Sequence, residues 1–423
     1  MINSKIDISF DDENDSDKKK IEIDFESEET NFKETEIFVK EKLIIPENFK
    51  EEITPEFKIN NFYYFANPEC NKFYNVSLKY PSGLESGFRR KFSIETGFEF
   101  FTEILINEDR IILTSKEGEI IFIDKNTGSL LSKLTVKDEY IEKTGIVSDG
   151  RVFVTTLNSI LECFENSFEQ KYQTDKEFYI WTNLNIIDDK IVFAVYSDIQ
   201  KKYKIILFDL KDNCYTEIYE DKVEYNAGSN IVIYKSRCFI LIDNYVLSLD
   251  FTADKTKPFA EKIETDITGE AYLLAIKSGI ILSDRKDIYF MNILLNERSF
   301  KYTGISSYEI NSLAGNNETL VIGTGKGWGK YKISGMTENF LEDSEENIVR
   351  ALSDNVLSVT KKNKIIFYNL HNANEAEGFV INSKNVSGSQ EIISVVYDNN
   401  QIFTLSDKGI LTCFSNDKLN IHI

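Results

Sequence analysis

One pattern constrains this chain more than any other. A two-strand unit returns eight times at nearly constant spacing. It is clearest in IILTSKEGEIIFIDKNTG, residues 111–128. An apolar strand meets a short Ser/Lys/Glu/Gly turn, a second apolar strand follows, and a polar residue opens the next turn. The same order recurs in VFVTTLNSILECFENS, CFILIDNYVLSLDFTAD and QIFTLSDKGILTCFSND, among others. The polar residue closing the second strand falls at Asp124, Glu165, Asp209, Asp250, Asn292, Lys332, Asn369 and Ser415, with spacings of 41, 44, 41, 42, 40, 37 and 46. Each unit carries a further apolar strand before the pair and a weaker one after it. For the first unit these are FTEILIN and SLLSKLTV; for the last, EIISVVYD and KLNIHI. Four strands every ~40–45 residues is the signature of a propeller blade. A sandwich or two stacked barrels would also give many short strands, but neither predicts equal spacing. The expectation is an all-β chain forming an eight-bladed β-propeller, with seven blades as the alternative. The blades should begin near residues 101, 142, 180, 226, 267, 307, 347 and 386.

Composition agrees. The 423 residues include 31 Phe and 21 Tyr but only 5 Pro, and aromatic residues suit a pleated, half-buried surface. Residues 1–60 differ, with 18 acids against 9 lysines. They read as an acidic, irregular N-terminal tail. Two stretches within it resemble each other, KIDISFDDEN and KIEIDFESEE. Each alternates apolar and polar residues and then turns acidic, which also suits a segment that adds to a sheet edge. Residues 61–100 read as an ordered connecting segment or a strand closing the ring, and 101–423 as the propeller.

The formal net charge of −21 excludes a nucleic-acid binder, which needs a positive footprint for phosphates, and argues against anionic membranes. No apolar leader opens the sequence and no apolar run is long enough to span a bilayer. With 5 scattered cysteines and no CxxC, the expected compartment is a reducing cytoplasm. Two histidines leave no His-built metal site or triad. Cys163 and Cys413 read as equivalent core positions. No catalytic residue, metal or cofactor is assigned.

The stretch IIFIDKNTGSLLSKL, residues 120–134, resembles the repeat of PQQ-like, quinoprotein-type β-propellers. In that repeat a strand ends in Asp, Thr-Gly follows after two residues, and Trp stands four residues past the Gly. Asp124, Thr127 and Gly128 match, while Ser132 occupies the Trp position. The family holds quinone-dependent dehydrogenases and non-catalytic scaffolds, including an outer-membrane assembly lipoprotein. The resemblance implies the fold and a scaffold role. The dehydrogenase chemistry needs calcium and a carboxylate base, and no run in this chain aligns with those ligands.

The Gly-rich GTGKGWGK, residues 323–330, fails the phosphate-loop spacing, because Thr324 stands where the first Gly belongs and Tyr331 follows Lys330. It reads as a turn between second and third strands, exposing Trp328. Trp181 lies in a connection leading into an innermost strand. Such turns and connections share one face of a propeller, which Tyr179 and Tyr308 also enter, and Arg350 borders the central channel. Trp, Tyr and Arg are frequent interface anchors. These five residues are the expected docking face for a protein partner, and the acidic surface favours a basic one. The function expected is a non-catalytic interaction platform, a binding subunit of a cytoplasmic bacterial complex. The alternatives are a sugar- or alcohol-acting enzyme and an acidic, immunity-type inhibitor.

Overall fold

The computed structural model describes residues 88–415, apart from 138, 224–229, 255–256, 266, 268–270, 277–278, 293–296, 303–308, 317–318, 333–338, 343–344, 354–355, 362–363, 371–375 and 381–389. The acidic tail, its two alternating motifs, Tyr308 and KLNIHI lie outside the described residues.

Eight antiparallel sheets, one for each repeat, form an eight-bladed β-propeller. Blade 1 runs outward through Leu105–Asn107, Arg110–Thr114, Glu119–Asp124 and Leu130–Thr135. The innermost strands of the remaining blades open at Ile146, Tyr179, Val232, Tyr272, Ile310, Ile348 and Ile392. The polar ruler has a structural meaning. Asp124, Asp209, Asp250, Asn292, Lys332, Asn369 and Ser415 each end a third strand. Glu165 is the exception, because its strand stops at Phe164. That slip has a consequence for the cysteines. Cys163 pairs with Val152, the second residue of its neighbouring strand, and Cys413 pairs with Phe403, the third residue of its own. Successive side chains point to opposite sheet faces, so the two thiols are not equivalent, although both are buried.

Burial follows position in the blade. Middle strands such as EIIFID are buried along their length because another blade covers each face. Outer strands such as LLSKLT alternate exposed and half-buried residues, which is why they read weakly in the sequence. The apolar core is partitioned between blades. One cluster joins blades 1 and 2, others join each consecutive pair up to 6 and 7, and one joins blades 7, 8 and 1. That last cluster closes the ring.

Blade 8 takes three strands from the C-terminal end of the described chain, Ile392–Asp398, Gln401–Ser406 and Ile410–Ser415. Its outer strand is Arg89–Glu95, paired antiparallel with Ile410–Ser415. The join is further fixed by a hydroxyl pair, Ser93 Oγ to Thr412 Oγ1, at 2.9 Å.

The turn that carries the family resemblance is built as its residues require. Asp124 Oδ1 accepts hydrogen bonds from the Asn126 and Thr127 amides (3.0 and 2.7 Å) and the Thr127 hydroxyl (2.8 Å). Gly128 then adopts φ +75°, a left-handed conformation that glycine takes without steric cost. These bonds hold the Asp124 carboxyl below its usual range, those from Thr127 most of all. Asp209 and Asp250 accept from the backbone after them in the same way. Ser132, where the family repeat places Trp, reaches the next blade, its hydroxyl donating to the Glu165 carbonyl.

Candidate functional site

One face of the ring carries the hairpins between second and third strands together with the connections into the next blade. The two are tied to each other by backbone. In blade 1 the Val136 amide donates to Gly118 O at 2.9 Å. A Cβ on Gly118 would lie 2.7 Å from the Val136 and Glu139 carbonyls, so the hairpin rests directly on the strand exit. In blade 2 the Ile180 amide donates to Leu157 O and the Thr174 amide to Asn158 O, both at 2.8 Å. In blade 3 the Val223 amide donates to Lys201 O at 3.0 Å, and Gln200 Nε2 reaches Glu177 Oε2 at 2.6 Å.

This scaffold holds large apolar side chains in solvent. Phe101, Tyr140, Leu157 and Ile199 are 52%, 59%, 43% and 77% exposed. All four lie on hairpins or incoming connections of blades 1 to 3. Lys116 lies 4.8 Å from the Phe101 ring centroid. Tyr179 and Trp181, on the connection into blade 3, are half-buried. Their inner sides pack on Tyr196, at centroid distances of 5.7 and 5.4 Å, and Trp181 also meets Tyr203 at 6.3 Å. Burial, Asp198 and Tyr196 push the Tyr179 hydroxyl up to about 12, so it remains a neutral donor at physiological pH. Lys143, on the connection into blade 2, is half-buried, and burial lowers its pKa.

Beneath this surface runs a polar relay between innermost strands. The Glu103 amide donates to Thr144 Oγ1 at 2.9 Å, the Thr144 amide to Asn183 Oδ1, and the Asn183 amide to Asn230 Oδ1 at 3.4 Å. Glu103, Thr144, Asn183 and Asn230 occupy the same place in blades 1 to 4, two residues before the innermost strand or, in blade 3, before its main segment Asn185–Ile187. A polar residue at that offset in each repeat was the available sequence signal.

Two expected anchors take different roles. Trp328 is not exposed. The hairpin is tighter than its glycines suggest. Thr324 pairs with Gly327, leaving only Gly325 and Lys326 to turn, and Trp328 is a strand residue opposite Gly323. It is 2% exposed and sits in the cluster between blades 6 and 7 with Val349, Leu352 and Leu357. Its ring centroid lies 5.0 Å from that of Tyr368. Gly323 is needed for contact rather than for phosphate. A Cβ there would lie 2.2 Å from Ser312 Oγ and 2.5 Å from Asn347 O. Ser312 Oγ is occupied in accepting the Val349 amide across the blade seam at 2.7 Å.

Arg350 does lie in an innermost strand, at a β-bulge. There it acts as a brace. It donates to Thr360 Oγ1 in its own blade (3.1 Å), and to Ile393 O (3.3 Å) and Glu391 Oε1 (2.9 Å) in blade 8. Trp181 and Tyr179 are therefore the expected residues that the structure keeps on the apolar surface. Phe101, Tyr140, Leu157 and Ile199 join them.

The described residues hold no group of three or more His, Cys, Asp and Glu side chains arranged to grip a metal. Cys163 is buried, and burial pushes its thiol up to about 12.

No protein-family model matches the chain, and no curated protein matches it. Its architecture defines it as an eight-bladed β-propeller, and solved structures share that fold. They include Ika8, a computationally designed protein (TM-score 0.60, 12% identity, covering 77% of this chain and 99% of that one). Sqt1 from Saccharomyces cerevisiae is similar at TM-score 0.57 and 12% identity, over 77% and 98% of the two chains. BamB from Moraxella catarrhalis is similar at TM-score 0.52 and 12% identity, over 78% and 99%.

Proposed function

We propose that this propeller is a non-catalytic platform that docks a protein partner on the hairpin face of blades 1 to 3. The observation that carries the reading is the shared placement of Phe101, Tyr140, Leu157 and Ile199, all exposed, on one face of three consecutive blades. Single exposed apolar residues need no explanation, but a cluster on one surface marks an interaction site. Half-buried Tyr179 and Trp181 supply rigid aromatic area beside them. The Asx-type turn at Asp124–Gly128 supports a distant kinship with PQQ-like repeats. The reading extends to a binding subunit of a cytoplasmic bacterial complex, with a basic partner favoured by the net charge of −21.

The test compares wild type with the double variant Tyr140→Asp, Ile199→Asp. Both side chains are solvent-facing, so the melting temperature should hold. An interface anchor is worth about 2 kcal/mol, or roughly thirty-fold in affinity. A partner retained from host extract by wild type should be lost by the variant. Retention by both would remove this face from consideration.

A further inference from the structure

We infer that the outer rim of blades 1 to 3, at the end of the sheets opposite the hairpin face, is a second docking surface. It takes a basic partner segment with one apolar side. The inference stands apart from the hairpin-face reading and starts from one register position. In every blade the penultimate residue of the third strand lies in the apolar cluster shared with the preceding blade. Residues directly opposite on neighbouring strands share a sheet face, so the fourth-strand partner lies over the same seam. In blades 1 to 3 that partner is Leu130, Phe168 and Tyr215, all exposed. At the same position blades 4, 5, 7 and 8 carry Ala260, Arg298, Ala376 and Arg90. Large apolar side chains are therefore confined to three consecutive blades.

Two more exposed side chains, Leu131 and Phe164, extend the band. Phe164 follows Cys163 and so points to the opposite sheet face, toward blade 3, while Tyr215 faces back toward blade 2. The seam between these blades thus carries an aromatic ring from each wall. Tyr215 is held by an edge contact with buried Tyr172, their ring centroids 5.0 Å apart. Arginines brace the rim from one blade to the next. Arg110 of blade 1 pairs with Glu165 of blade 2 at 2.7 Å, and Arg151 of blade 2 donates to Leu210 O of blade 3 at 3.0 Å. Clustered apolar side chains on a rigid surface mark an interaction site.

Charge selects the occupant. The turns between first and second strands lie at the same end of the sheets, and in blades 1 to 3 they expose Glu108, Asp109, Asp149, Asp188 and Asp189. In blade 1 this turn touches the outer one, the Lys125 amide donating to Asp109 O at 2.8 Å. The cations that follow these acids are engaged within the rim, Arg110 with Glu165, Arg151 with Glu162 and Lys190 with Asp209. An apolar band bordered by carboxylates attracts a segment that has an apolar side and a basic one. A second copy of this chain would instead set one acidic rim against another.

A labelled leucine–lysine peptide, apolar on one side and basic on the other, tests the proposal against the full chain by fluorescence anisotropy. Wild type should bind it more tightly than a leucine–glutamate peptide of the same pattern and more tightly than a serine–lysine peptide of the same charge. The variant L130S/F168S/Y215S should bind the leucine–lysine peptide about ten-fold or more weakly, with its melting temperature held because all three side chains are exposed. The variant E108K/D109K leaves the apolar band intact and should weaken binding as well. The hairpin-face variant Y140D/I199D should bind like wild type, which separates this surface from the one proposed above. Equal binding by wild type and L130S/F168S/Y215S overturns the proposal. So does equal affinity for the serine–lysine peptide, which would reduce the rim to its charge. Loss of the peptide in Y140D/I199D alone would move the site to the hairpin face. A wild type that sediments as a dimer, with L130S/F168S/Y215S a monomer, would assign the band to a second copy and overturn the basic occupant.

Discussion

Replacing Trp328 by Ala separates a buried seam residue from an exposed anchor. The indole is 2% exposed between blades 6 and 7, against Tyr368, Val349, Leu352 and Leu357. Truncating a buried Trp to Ala costs about 3–5 kcal/mol, as lost transfer energy plus a residual cavity. The cavity cannot collapse easily, because the sheets on both sides are fixed by their own ladders. For the roughly 330 residues that the propeller spans, at about 2.1 cal/mol/K each, the unfolding entropy is about 0.7 kcal/mol/K, so Tm should fall by about 4–7 °C. Trp181→Ala, at a half-buried site, should cost about 1–2 kcal/mol and about 1–3 °C. Scanning calorimetry measures both. Fluorescence adds an independent check, since the protein has only 2 tryptophans. The Trp181→Phe variant leaves Trp328 as the sole emitter, which should be blue-shifted and resist acrylamide. A Trp328→Ala protein that melts within 1 °C of wild type would falsify the seam placement and the strand register behind it.

Two further substitutions probe the seams. Gly323→Ala should destabilise by about 1–3 kcal/mol, because its Cβ would meet Ser312 Oγ and the Asn347 carbonyl at 2.2 and 2.5 Å; a Tm equal to wild type would show that the strands can part there at no cost. Glu162 is buried, bidentate to Arg151 at 2.7 and 3.0 Å and bonded to Lys171 at 3.1 Å, and Arg151 chiefly holds its carboxyl below the usual range. Glu162→Gln should therefore cost about 2–3 kcal/mol at pH 7, toward the low end for a broken buried pair. The lowered carboxyl favours the folded state above its unfolded value near 4.5, and that advantage is lost as pH falls through the folded value. Denaturant titrations should show the gap between wild type and variant closing below about pH 4, and a gap independent of pH would exclude the charge pair as its cause.

The blade count was legible in the sequence because each repeat places its own strands, the outer strand of blade 8 excepted. Three of the four in a blade are joined by short local turns, and the middle strands, covered on both faces, read as unbroken apolar runs. The Asp124–Gly128 turn was legible for the same reason, since all its partners lie within five residues. The ring's closure was legible only as one of two readings of residues 61–100, because Arg89–Glu95 and Ile410–Ser415 meet across more than 300 residues, and no local pattern says that this segment rather than another fills the missing edge. Trp328 shows how fine the tertiary decision is. In a strand of period two, moving a turn by one residue exchanges the buried and exposed faces. GTGKGWGK alone is compatible with a loose glycine turn presenting an indole to solvent. The neighbouring blade decided otherwise, by offering an apolar seam that only a strand-borne Trp could fill. The exposed arc of Phe101, Tyr140, Leu157 and Ile199 was hidden for the converse reason. An apolar residue in a hairpin reads as core until the fold shows that nothing among the described blades covers it.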